Sequence, residues 1–146
     1  MKVVVQRCTH ATVRVAGNPI GSIGHGLLLL VGFGEEDSES ALQPMADKVA
    51  HLRIFSNEQG RFDRSVLDIG GEILVVSQFT LYADTAKGRR PEFFKALHPS
   101  KAEPLFNAFV KALEGTGVKR VAQGSFGAYM QVELENDGPV TIILER

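Results

Sequence analysis

What most constrains the fold of this chain is where its period-two stretches fall. Val- and Ile-rich segments of strand character run over residues 2–7, 11–16, 26–33, 72–83, 127–135 and 140–145, gathered toward the two ends of the sequence. Between them lie two helical patterns. In SALQPMADKVAHL, Ser40 with Gln43 reads as a capping box, and Leu42, Met45, Val49 and Leu52 fall on one face. In SKAEPLFNAFVKALEGTG, Ser100 with Glu103 repeats the device, Ala102, Leu105, Phe106, Phe109 and Leu113 form the apolar stripe, and Gly115 or Gly117 ends it. Pro91 is expected to open a shorter helical turn through Leu97. Each apolar face must be buried against another element, so the pattern predicts an α+β fold: a curved, largely antiparallel sheet or partial barrel with two to three helices packed on it.

The segment NDGPVT at 136–141 predicts a turn, and hence a hairpin between the last two strands. Asp and Gly tolerate the left-handed backbone that tight turns need. Pro139 is not required for that reversal. It removes a backbone donor, restricts Gly138, and makes the bond between them one that adopts the cis form at modest cost.

At 146 residues with 44% hydrophobic content, the chain fits a single domain spanning 1–146. Its only cysteine, Cys8, has no internal disulfide partner, and MKVVVQRC lacks the apolar length of a signal, so a cytoplasmic location is expected. The run Leu27 to Val31 is far too short to cross a bilayer. A formal net charge of −1 argues against nucleic-acid binding through bulk positive charge. Charge is uneven, however: eight Lys or Arg against four acids lie between Asp84 and Arg120, with KGRR at 87–90 the densest cluster. On charge alone this reads as a solvated surface.

Several chemistries find no support. The four histidines are widely separated, so neither a metal nor any other cofactor is expected. The glycines of LLLLVGFGEED lack a P-loop lysine and are followed by carboxylates, and no G-x-S-x-G elbow is present. Cys8, in a strand of apolar neighbours, reads as a small core residue. One strand stands apart: in EILVVSQFTLYA the apolar run gives way to Ser77, Gln78 and Thr80. Alternation would divide these polar groups between two faces, so one catalytic cluster needs the strand to end or bulge here. On the residues alone, a half-exposed strand outweighs a Thr80 nucleophile, because no His or Lys stands near it in sequence to take its proton.

SQFTL at 77–81 and NDGPVT at 136–141, in that order, together with MKVVVQRCTHATV, KGRRPEF and SFGAYM, resemble the D-aminoacyl-tRNA deacylase family over nearly the whole chain. The resemblance implies a homodimeric enzyme that hydrolyses the ester joining a D-amino acid, or glycine, to the terminal adenosine of tRNA while sparing L-aminoacyl-tRNA. It implies that Gly138 and Pro139 form a cis unit inserted into the partner subunit's pocket, which is lined by Ser77, Gln78, Phe79 and Thr80. Such a rigid edge rejects an L side chain by exclusion. It implies further that backbone groups and the substrate's ribose 2′-hydroxyl do most of the chemistry, with Thr80 as a nucleophile the rival. Phe126 and Met130 become candidates to pack on the adenosine, or else ordinary core; Arg7 becomes a brace for the Gly-Pro turn; Lys87, Arg89 and Arg90 become contacts to acceptor-end phosphates. Two other classes remain open: an RNA-binding module without turnover, and a hydrolase of some other acyl ester.

Overall fold

A computed structural model describes residues 1–146. Its axis is β1 (Lys2–Val15), a single strand with three antiparallel partners. The first half of β1 pairs with β3 (Gly26–Gly32), the second half with β2 (Asn18–Ile23), and both halves with β8 (Met130–Glu145). Beyond β3, the sheet continues in parallel through β6 (Glu72–Ser77) to β7 (Arg120–Gln123). The order β2-β1-β3-β6-β7, with β8 beside β1, curls so far that β2 approaches β7: a Cβ on Gly21 would lie 2.8 Å from the Gln123 carbonyl oxygen. The result is a mixed, nearly closed barrel-like sheet. A two-stranded hairpin, β4 (Phe55–Ser56) with β5 (Phe62–Arg64), stands outside it.

Two helices cover one face, α1 (Leu42–Ala50) and α2 (Pro99–Glu114). Alternate residues of the central strands (Val3, Val5, Leu27, Leu29, Val31, Ile73, Val75) pack with Met45, Val49, Phe106, Phe109 and Leu113 in the larger core. The intervening residues, Leu28, Leu74 and Val76, join Cys8, Ala11, Val13 and Ile23 in a second cluster on the opposite face of the curled sheet. Burial on both faces explains why β3 reads LLLLV without alternation.

Several local expectations are corrected. Residues 2–7 and 11–15 belong to one strand, because exposed Thr9 and His10 interrupt the pattern without ending the pairing, and Ala16 lies beyond it in a turn. The expected terminal hairpin is absent: β8 is continuous, and both sides of NDGP pair with β1. Ser40 is no cap, since its hydroxyl meets Ser38 Oγ at 2.9 Å and a short 3-10 turn, Glu39–Ala41, precedes α1. Gln43 instead donates to Asp47 Oδ1 at 2.9 Å. Helix α2 is capped by His98, which accepts from the Ser100 amide, rather than by Ser100. No helix follows Pro91; that segment is held by isolated bridges, Asp84 with Glu92 and Gly34 with Ala96. No helix is long and apolar enough to cross a membrane.

The β3–β6 pairing begins at Gly26 opposite Glu72, where a Cβ would fall 1.8 Å from the Glu72 carbonyl oxygen. Gly26→Ala is therefore expected to force the strands apart and to lower unfolding stability by roughly 1–3 kcal/mol or more, read from urea midpoints.

Candidate active site

Strand β6 ends at Ser77. Gln78 leaves the extended region (φ −146°, ψ 78°), its amide donates to Val31 O at 2.7 Å, and the chain turns into one 3-10 turn, Phe79–Tyr82. The strand ends where the polar side chains begin, so Ser77, Gln78 and Phe79 meet a common cleft instead of alternating between faces. The N–H groups of Phe79 and Thr80 open the turn and so have no acceptor within it. Thr80 is exposed, accepts a hydrogen bond from the Gln78 side chain, and does not line the cleft.

The cleft, about 700 Å³, is floored by Val31, Gly32 and Val76 at the ends of the parallel strands. One wall is Ser77, Gln78 and Phe79; another is Phe126, Ala128, Tyr129 and Met130, from the end of the β7–β8 connection and the start of β8; Phe93, Phe94 and His98 complete it. Phe79 and Phe93 meet edge-on with centroids 5.0 Å apart, and Phe126 leans on Phe106 of α2 at 5.9 Å. Phe79 (57% exposed), Phe94 (80%) and Tyr129 (86%) leave aromatic faces open to solvent, an unusual surface that suits stacking of a base.

Tyr82 fastens this turn to the loop after β3. Its hydroxyl donates to Asp37 Oδ2 at 3.1 Å, and the same oxygen accepts from the Gly34 amide at 2.6 Å. Burial, then the Asp37 carboxylate, push the Tyr82 hydroxyl well above its ordinary pKa, so it stays a donor.

Sequence reasoning missed Phe93, Phe94, Tyr129, Glu35 and His98. His98 brings an imidazole to the cleft, with Nδ1 engaged by Ser100 Oγ at 2.8 Å. No local period could have announced Phe93, Phe94, Glu35 and His98, which are brought in by the Gly34–Ala96 bridge and the α2 cap, while Tyr129 arrives with the start of β8. No cluster of three or more His, Cys, Asp or Glu side chains is assembled. Lys87, Arg89 and Arg90 are exposed in the loop pinched by Asp84 and Glu92, next to the cleft's Phe93 and Phe94 but outside its lining.

Gly138 and Pro139 do not line this cleft. They sit further along β8, roughly 20 Å of strand beyond Val132, its last cleft residue. The pairing Gln6 with Thr141 and Cys8 with Asn136 leaves Arg7 alone opposite residues 137–140, an enlarged bulge whose Gly138-Pro139 bond is cis. Gly138 has φ +132°, and a Cβ there would lie 2.8 Å from Val140 Cγ2. Arg7 is buried against the bulge: Nε donates to Asp137 O at 3.0 Å and pairs with Asp137 Oδ2 at 3.2 Å, and Nη1 donates to Ile54 O at 2.6 Å. The rings of Phe62 and Phe55 flank its guanidinium at 5.5 and 6.0 Å.

Residues 4–145 match the family model described as D-Tyr-tRNA(Tyr) deacylase. The chain belongs to that family. Among its deacylase relatives, a D-aminoacyl-tRNA deacylase of Geobacillus sp. (strain WCH70) is 57% identical over 99% of this chain and 95% of its own length. One of Roseiflexus castenholzii is 56% identical over 99% and 92%. A solved structure described as a c-Myc DNA unwinding element binding protein superposes with a TM-score of 0.93 at 45% identity, covering 100% of this chain and 99% of that one. Another, a probable eukaryotic D-amino acid tRNA deacylase, shares the fold, with a TM-score of 0.86 at 19% identity over 98% and 97%.

The one cysteine of this deacylase-family chain takes no part in the cleft. Burial pushes the Cys8 thiol up to about 11, with Asp137 adding to the shift, and Sγ donates to Gly26 O at 3.6 Å. Iodoacetamide at pH 8 is expected to leave Cys8 unmodified until denaturant opens the chain. Because the folded pKa lies above the unfolded value, the thiol's contribution to stability is complete below about pH 9 and declines as pH rises toward 11. A Cys8→Ala variant should lack that decline in pH-dependent melting.

Proposed function

We propose that this chain hydrolyses the ester bond of D-aminoacyl-tRNA, and of glycyl-tRNA, and spares the L-aminoacyl ester. The observation that carries the reading is the full-length family match combined with a cleft in which the Ser77-Gln78-Phe79 turn faces open aromatic rings. The terminal adenosine stacks on those rings, with Phe126 and Met130 against it. The ester carbonyl is directed at the turn, whose opening amide at Phe79, a residue of the cleft lining, stabilises the developing oxyanion. An aminoacyl ester is already activated, so water, a proton acceptor such as the ribose 2′-hydroxyl, and that stabilisation suffice. Thr80 needs no chemical role, which agrees with its position outside the cleft lining. Lys87, Arg89 and Arg90 meet the acceptor-end phosphates, and recognition confined to that end accommodates a net charge of −1.

Stereochemical selectivity in this reading comes from a second copy. Gly138 and Pro139 are exposed and remote along β8 from their own chain's cleft lining, so they act as an edge inserted into a partner's cleft. The outer edge of β8 has no strand partner, and Val132 and Ile143 are exposed on that strand, as an edge covered by another chain would be. Against a fixed edge a D-residue fits, an L side chain collides, and glycine has nothing to exclude.

The test is deacylation of matched D- and L-tyrosyl-tRNA with a chelator present. Rapid loss of the D-ester alone is expected. Equal loss of both points to a general esterase. Binding without loss of either points to a nucleic-acid-binding module, the reading that the name of the 45%-identical structure and the Asp84–Arg120 basic excess would favour. Thr80→Ala should keep activity within about tenfold, whereas a loss on the order of 10⁴-fold in folded, substrate-binding protein would mark a nucleophile. The log-log salt slope of tRNA binding should be shallow, roughly −2 for three phosphate contacts on a single-stranded end. A slope several times steeper contradicts confinement to that end.

A further inference from the structure

Arg7 grips the bulge through Asp137, its first residue, but a grip at the entry leaves the exit at Val140 free to shift. Four residues of β8 facing one residue of β1 cannot all join the ladder, and 137–140 must find other partners. The Val140 amide finds one in a side chain: it donates to Asn136 Oδ1 at 3.0 Å, closing the bulge across its neck. The other end of the same carboxamide faces β1. Asn136 Nδ2 donates to Gln6 Oε1 at 2.5 Å and to Thr141 Oγ1 at 3.2 Å, and the Thr141 hydroxyl donates to the same Gln6 oxygen at 3.1 Å. One side chain thus ties the residue entering the bulge to the two residues leaving it and to the neighbouring strand. An aspartate at 136 keeps the acceptor for Val140 but has no donor for Gln6 or Thr141, and an alanine keeps neither.

We propose that Asn136 is a positioning residue for stereochemical selectivity, its carboxamide clasping the neck of the bulge so that Gly138 and Pro139 are held as a fixed edge. The inference rests on the reading of those two residues as the selective edge. Exclusion requires an edge that does not yield, because an ångström of give admits the side chain it should reject. Arg7 sets where the bulge begins, and Asn136 sets its width and its alignment with β1. The three bonds of the Asn136 carboxamide act on geometry alone, since none of the clasp residues lines the cleft.

The test compares kcat/KM for D- and L-tyrosyl-tRNA among wild type, Asn136→Asp and Asn136→Ala, each checked by circular dichroism and melting temperature. The ratio of D to L hydrolysis is expected to fall at least about tenfold in Asn136→Ala, with L hydrolysis rising, and by an intermediate amount in Asn136→Asp. A merely structural role would lower both activities together and leave their ratio unchanged. An unchanged ratio in folded Asn136→Ala, beside a selective wild type, overturns the clasp. If Asn136→Ala does not fold, Asn136→Asp decides: an intermediate fall supports the clasp, and a wild-type ratio overturns it. A wild type that does not discriminate removes the selective edge itself, a failure distinct from that of the clasp.

Discussion

The pairing of β1 with three strands at once is the constraint on which the rest of the molecule depends. Fourteen residues of one strand join β2 and β3 along one edge and β8 along the other, so both ends of the sequence enter the same sheet. That arrangement curls β2 toward β7, separates the two apolar clusters, and leaves the helices only one face to cover. It also positions the candidate site and the bulge. The cleft forms beside the parallel strands, where β3 and β6 end together, while the bulge forms where β8 passes Arg7 and its register with β1 shifts.

Most of what the sequence announced was periodic. The stripe Ala102, Leu105, Phe106, Phe109 and Leu113 lies buried as its spacing implied, because a 3.6-residue period admits few alternatives. The α+β class followed from strands at both ends. Hidden features were those in which local chemistry and tertiary pairing part company. NDGP has the composition of a reversal, yet the chain bulges and returns to the same partner, since turn residues specify a bend and not what the strand pairs with afterwards. Strand β2 carries Pro19 and Gly21, which read as loop, and it is tolerated at the edge of the sheet, where a missing donor costs little. The cap of α2 was misassigned because His98, not Ser100, reaches its first free amide.

The same division holds at the candidate site. Ser77, Gln78 and Thr80 stood out because polar residues broke an apolar run, and the strand does end there, with Ser77 and Gln78 on the cleft and Thr80 outside its lining; Phe79 entered only through the family resemblance. Phe93, Phe94 and His98 were not legible, because they reach the cleft through one isolated bridge and one helix cap, neither of which leaves a period in the sequence. What the cleft offers is chiefly shape, aromatic surface and the turn that opens at Phe79. That economy suits an activated ester, for which water exclusion, orientation and a place for negative charge matter more than a strong side-chain base.

The central claim is that the bulge of one chain completes the cleft of another. Complementation tests it most directly. One variant has its cleft filled by Ala128→Trp; a second has its bulge disrupted by Gly138→Val, which sets a branched side chain at φ +132°. Each alone should be unable to remove a D-amino acid from tRNA selectively. After the two are unfolded together and refolded as mixed dimers, random pairing should restore roughly a quarter of the wild-type selective sites, because only a heterodimer joins an intact cleft to an intact bulge. Verified mixed dimers that remain without selective activity would contradict completion of the cleft by a second chain.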